Sequence, residues 1–219
     1  ASVIALFVLL GALGGCGEPE SPDDALLVAA AHGDVDGVRS ALARGARLDG
    51  AVDRNNSTAL AKAAYQNRVE AAQVLVAAGA DVNRKDDSEQ SPFLIATSEV
   101  GDDPRLLDLF LAHGAKVNDK DSYNGTGAIR AAHRGYARIV DQLIVAGVDV
   151  DHVNRLGWTA LLEAVILGDG EEAHQAVVRR LLAAGADRSI RDPQGRTALD
   201  IARERGQDEI AVLLEHSGS

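Results

Sequence analysis

The chain has 219 residues, with 33 acidic against 22 basic side chains and a formal net charge of −11. That balance argues against a nucleic-acid surface, which needs a basic stripe, and it favours solubility, with a basic partner as the complementary choice. There is no methionine and only 3% of residues are aromatic, so a core must be built from Ala, Leu, Val and Ile, which suits closely packed helix pairs.

Residues 1–15, ASVIALFVLLGALGG, are uncharged and end at Cys16, the single cysteine of the chain. The run is too short for a comfortable membrane-spanning helix and fits the apolar part of a secretory signal. Residues 17–23, GEPESPD, form a polar linker. The order Ser21-Pro22-Asp23-Asp24 then opens a first helix, with proline tolerated in the first turn and carboxylates near its positive end.

From here the pattern repeats. The step Gly-Ala at Gly45-Ala46 returns at Gly79-Ala80, Gly114-Ala115 and Gly185-Ala186, and as Gly147-Val148, at spacings of 34, 35, 33 and 38. A hydroxyl suited to an N-cap returns as Thr58, Ser91, Thr126, Thr159 and Thr197, at spacings of 33, 35, 33 and 38. Two independent markers with one step predict a repeat architecture. The units run from about residues 24–52, 53–85, 86–120, 121–153, 154–191 and 192–219, each a pair of short helices. In the second unit Asn67 stands where glycine would end the first helix, a substitution that the left-handed region tolerates. In the third, Pro92 follows its cap and residues 101–104 lengthen the inter-helix turn. In the fourth, Gly127 and Ala128 predict the weakest first helix of the set. The fifth carries five extra residues near 168–174. The last has exposed polar positions suited to a terminal unit.

The motifs GADVN (79–83), GWTALLEA (157–164) and GRTALDIA (195–202) resemble ankyrin repeats, over about residues 24–219. The resemblance implies an all-α solenoid in which helix pairs stack in two layers and β-hairpin-like fingers project between them. Separately, Leu13-Gly14-Gly15-Cys16 resembles the lipobox of bacterial lipoproteins. That resemblance implies a signal segment at 1–15, lipidation of Cys16, and a linker at 16–23. It also implies attachment on the periplasmic side of the cell envelope, at the outer membrane. The alternative is a plain signal peptide with an incidental cysteine.

No nucleophile elbow, P-loop, HExxH or GxGxxG motif occurs. The six histidines are spread over different units, and the acidic clusters lack the alternating spacing of a calcium loop. No catalysis, metal or cofactor is expected. In ankyrin proteins a partner protein meets the finger tips and the first helices. Carried onto this chain, those positions include Tyr65, Gln66, Tyr123, His133, Arg134, Arg155, Leu156, Trp158, Ile166 and Leu167. The last four of these are apolar at places usually polar. With Tyr123 and the two arginines they read either as an interface, where Trp, Tyr and Arg are favoured, or as packing around the longer fifth unit. The expected function is capture of a protein by a monomer, either an immunity or inhibitor role against a toxin or hydrolase, or support of an enzyme such as a catalase.

Overall fold

The first helix of each of the six units begins at a hydroxyl side chain in the cap position. The computed structural model describes residues 21–216. Ser21 Oγ accepts from Asp24 N at 3.1 Å, and Thr58, Ser91, Thr159 and Thr197 each accept from the backbone three residues on at 3.2 Å. At Thr197 the bond is reciprocated by Asp200, whose carboxylate accepts from Thr197 N at 2.9 Å, a capping box. Thr126 holds the same position, but its hydroxyl is buried without a partner.

These caps start first helices α1 (Pro22–His32), α3 (Ala59–Tyr65), α5 (Pro92–Ser98), α7 (Gly127–Arg134), α9 (Ala160–Ile166) and α11 (Ala198–Glu204). Their partners are α2 (Val35–Ala43), α4 (Val69–Ala77), α6 (Arg105–Ala112), α8 (Ala137–Val145), α10 (Glu172–Ala183) and α12 (Asp208–His216). Helices this short do not persist alone in water. First helices pack on first helices and second on second along the described residues, so they form a two-layered stack. The apolar face of each unit is buried by its neighbours. Leucine, isoleucine, valine and alanine fill most of the interior, with Phe93 and Phe110 fully buried in the third unit. Asn67 is left-handed at φ 49°, and α5 and α6 are separated by the longest of the loops that join the two helices of a unit.

The fingers are held by one side chain each. Asp53, Asp86, Asp121, Asn154 and Asp192 each place Oδ1 within 2.8–3.1 Å of two backbone N–H groups, two and four residues on. The residue three positions on turns left-handed, as Asn56, Glu89, Asn124, Gly157 or Gly195, which closes the turn. Among the described residues, strand pairing across the fingers is limited to isolated bridges, Val52 with Thr58 and Lys120 with Thr126. Successive units are also tied by a second row of side chains. Asn83 accepts from Lys116 N, Asn118 from Asp149 N and Asp151 from Asp187 N, all at 2.8 Å, and Asp49 accepts from Asp81 N at 3.2 Å.

The insertion in the fifth unit lengthens both the loop and α10. It is seated by His174, whose ring nitrogens face the Asp169 carboxylate at 2.8 Å and the His133 carbonyl at 3.1 Å. Gln207 Nε2 donates to the carbonyls of Val165 and Gly168, so the residue just before α12 of the sixth unit finishes α9.

Gly127 needs a reading different from the sequence expectation. It is the first residue of α7, not an interior one, so the usual helix cost of glycine is small there. A Cβ would lie 2.8 Å from Thr97 Cγ2 and 3.4 Å from Leu143 Cδ1. Thr97 is fully buried and its hydroxyl donates to the Leu94 carbonyl at 2.7 Å, so this β-branched side chain has no free rotamer. Gly127→Ala should therefore destabilise by about 1–2 kcal/mol, read from the urea midpoint. An unchanged or raised midpoint would contradict tight packing at this position.

Candidate protein-binding site

Three successive units build one concavity of about 260 Å³. Helix α5 contributes Ser98 and the following Glu99, α7 contributes Ile129, Arg130, His133 and Arg134, and α9 contributes Glu163 and the following Leu167. The two fingers supply Asp121, Tyr123, Asn154 and Leu156. The helical register explains the set: residues 130, 133 and 134 lie on one face of α7, and the stacking of α7 on α9 brings Glu163 beside them.

The floor is charged. Arg130 is half-buried, with Nη1 3.0 Å from Asp121 Oδ2 and Nη2 donating to Ser98 Oγ at 2.6 Å. Glu99 Oε1 lies 3.5 Å from Arg130 and 3.7 Å from Arg134. Glu163 is 6% exposed. Its nearest polar neighbours are Asn154 Nδ2 at 3.5 Å and His133 Nδ1 at 3.4 Å. Burial, opposed by Asn154 and reinforced by Asp121, pushes the Glu163 carboxyl up to about 7. Burial, with the charges of Arg134, His174 and Arg130, holds His133 below the usual imidazole range. At neutral pH the contact between them is weakly charged.

A comparison between units shows what is unusual here. Four residues past the cap stands Lys62 in the second unit, paired with finger Asp53, and Arg130 in the fourth, paired with finger Asp121. In the fifth unit the finger residue is Asn154 and the same helical position is Glu163. The acid has changed sides, and no guanidinium or ammonium followed it. Sequence reasoning misses this residue because LLEAV reads as an apolar core segment; the signal that finds it is the offset from the cap, compared across units.

Of the positions expected from sequence, Tyr123, His133, Arg134, Leu156 and Leu167 come together in this pocket. Tyr123, Leu156 and Leu167 are 62%, 44% and 43% exposed. Arg155 lies outside the lining and ties the two fingers together, its N donating to the Tyr123 carbonyl at 2.9 Å and its Nη1 to the Ser122 carbonyl at 2.6 Å. Trp158 and Ile166 are half-buried against the core, so the exposed apolar surface of the fifth unit is smaller than the sequence pattern implies. Tyr65 and Gln66 border a separate, shallower concavity of about 510 Å³ between α1 and α3. Cys16 lies outside the described residues.

Stacked helix pairs with capped fingers define a repeat scaffold, and comparison with known proteins specifies it. A family model described as ankyrin repeats, in three copies, matches residues 5–86, 26–121, 93–192 and 128–219. The chain belongs to the ankyrin-repeat family. It is 39% identical over 194 residues to the ankyrin repeat protein YahD of Escherichia coli (strain K12), covering 88% of this chain and 95% of that protein. It is similar to the crystal structure of an ankyrin repeat domain, ABAYE2397, from Acinetobacter baumannii AYE, at TM-score 0.81 and 44% identity, covering 88% and 97% of the two chains. EF0377, an ankyrin repeat protein, superposes at TM-score 0.80 with 36% identity, covering 88% of this chain and 96% of its own. Ankyrin repeats generally mediate protein–protein interaction and serve as non-catalytic scaffolds.

Proposed function

We propose that this is a lipid-anchored protein of the bacterial envelope that holds another protein on the face made by α5, α7, α9 and their fingers, and catalyses nothing itself. The observation that carries this reading is the pocket, in which exposed Tyr123, Leu156 and Leu167 rim a buried, charged floor. Apolar rims around desolvated polar groups are where interface energy concentrates. A stack that is already rigid also loses little entropy when it binds. The anchor rests on Leu13-Gly14-Gly15-Cys16, since several acyl chains on Cys16 would hold the protein at a membrane.

Two measurements test the two halves. Cys16→Ser should move the protein from the membrane to the soluble fraction; unchanged fractionation rules out the anchor. Leu156→Asp with Leu167→Asp should leave helicity and melting temperature close to wild type, because both side chains are exposed. The pair should weaken partner binding about tenfold or more. Full affinity in that variant places the interface elsewhere.

A further inference from the structure

We propose that the pocket between α5, α7 and α9 receives a cationic side chain, arginine or lysine, of the partner protein, with Glu163 as its counter-ion. This rests on the protein-binding reading above and adds the chemistry of the residue that is gripped. The lining contains three carboxylates, Glu99, Asp121 and Glu163, against two guanidiniums, Arg130 and Arg134. Both guanidiniums already face carboxylates, Arg130 those of Asp121 and Glu99, Arg134 that of Glu99; Arg130 Nε has no partner, but it is buried and out of reach of an incoming group. An anionic ligand would have to displace those contacts. Glu163 is the carboxylate left over. It is more than nine-tenths buried, it lines the cavity, and its two contacts are long and supplied by a neutral amide and by His133. A buried carboxylate without a cation is costly, and a single incoming guanidinium or ammonium removes that cost. Ile129, Leu156, Leu167 and the ring of Tyr123 supply apolar surface for the methylene stem that such a side chain carries. The chain as a whole, at −11, attracts a basic partner at long range.

The pH dependence follows from the groups around Glu163. These are Asp121 and Asn154 on the fingers, Arg130, His133 and Arg134 on α7, and Glu99 beyond α5. Raising pH ionises Glu163, whose carboxyl is raised to about 7, and keeps His133 uncharged. Both changes strengthen attraction for a cation.

The test uses blocked single residues as probes and backbone NMR shifts of the full-length protein as readout. N-acetyl-arginine methylamide and N-acetyl-lysine methylamide should give saturable shifts at Tyr123, His133 and Leu167, with a Kd of about 1–10 mM, as one side chain warrants. N-acetyl-citrulline and N-acetyl-norleucine methylamides, neutral analogues, should bind about tenfold more weakly. Glu163→Gln, checked by circular dichroism to be folded, should lose the preference for charge, and wild-type affinity should rise between about pH 5.5 and 8. Equal binding of citrulline and arginine, a full response in Glu163→Gln, or no saturable shift with either cation overturns the proposal. Putrescine bound more tightly than both blocked residues also overturns it, by assigning the pocket to a free cation. If the proposal fails while Leu156→Asp with Leu167→Asp still abolishes partner binding, the protein-binding reading stands without it.

Discussion

Asp121→Ala should cost about 3 kcal/mol of stability, from the loss of two backbone hydrogen bonds to a charged acceptor and of a half-buried ion pair. Asp121 Oδ1 accepts from Tyr123 N at 2.9 Å and Gly125 N at 2.8 Å, while Oδ2 faces Arg130 at 3.0 Å. With alanine there, the finger loses its brace and Arg130 keeps only Ser98 and the more distant Glu99. Asp121→Asn should cost roughly half as much, because an amide oxygen can brace a finger; Asn154 does so one unit later, at 2.9 and 3.1 Å. Urea unfolding followed by circular dichroism gives both values. Equal losses for the two variants would show that the ion pair, not the backbone brace, holds the finger.

The second large effect is a gain. Glu163→Gln should raise stability at about pH 8 by about 2 kcal/mol and change it little near pH 4.5. The shift of the Glu163 carboxyl from 4.5 to about 7 corresponds to more than this at about 1.4 kcal/mol per pH unit, reduced here because the pocket mouth admits water. The sign is fixed by linkage. A carboxyl whose folded pKa lies above its unfolded value takes up protons on folding. Its favourable contribution is full below pH 4.5 and is lost as pH rises through 7. His133, held low, acts oppositely, stabilising above its unfolded pKa and losing that contribution as pH falls. The diagnostic quantity is therefore the difference between wild type and Glu163→Gln at each pH, in which His133 largely cancels. A difference that does not grow from about pH 4.5 to 8 would mean that Glu163 is not held protonated. A residue whose replacement stabilises the fold while weakening capture is what a binding site under stability–function conflict should contain.

Much of the architecture is legible in the chain because two spacings report it directly. The glycines after each second helix and the hydroxyls before each first helix fall where the backbone turns, and Asn67, Pro92 and the fifth-unit insertion follow the same grammar. The contacts between units are not legible, since Asn83, Asn118 and Asp151 act on residues more than 30 positions away. Local pattern carries no information about which amide will lie opposite. The site is legible at its rim and not at its floor. Leu156 and Leu167 break the expected polar pattern and do reach the surface beside exposed Tyr123, whereas Trp158 and Ile166 break it and turn inward. Glu163 is hidden because a seven-residue helix does not say which of its faces meets a finger.

The central claim is that a partner sits on the face of α5, α7 and α9. A photo-reactive residue placed at Tyr123 tests it, with a control at Val145, which is 84% exposed on α8 in the second-helix row. The expected result is a discrete protein adduct from position 123, suppressed by Leu156→Asp, and none from position 145. A discrete adduct from position 145 with none from position 123 would contradict it.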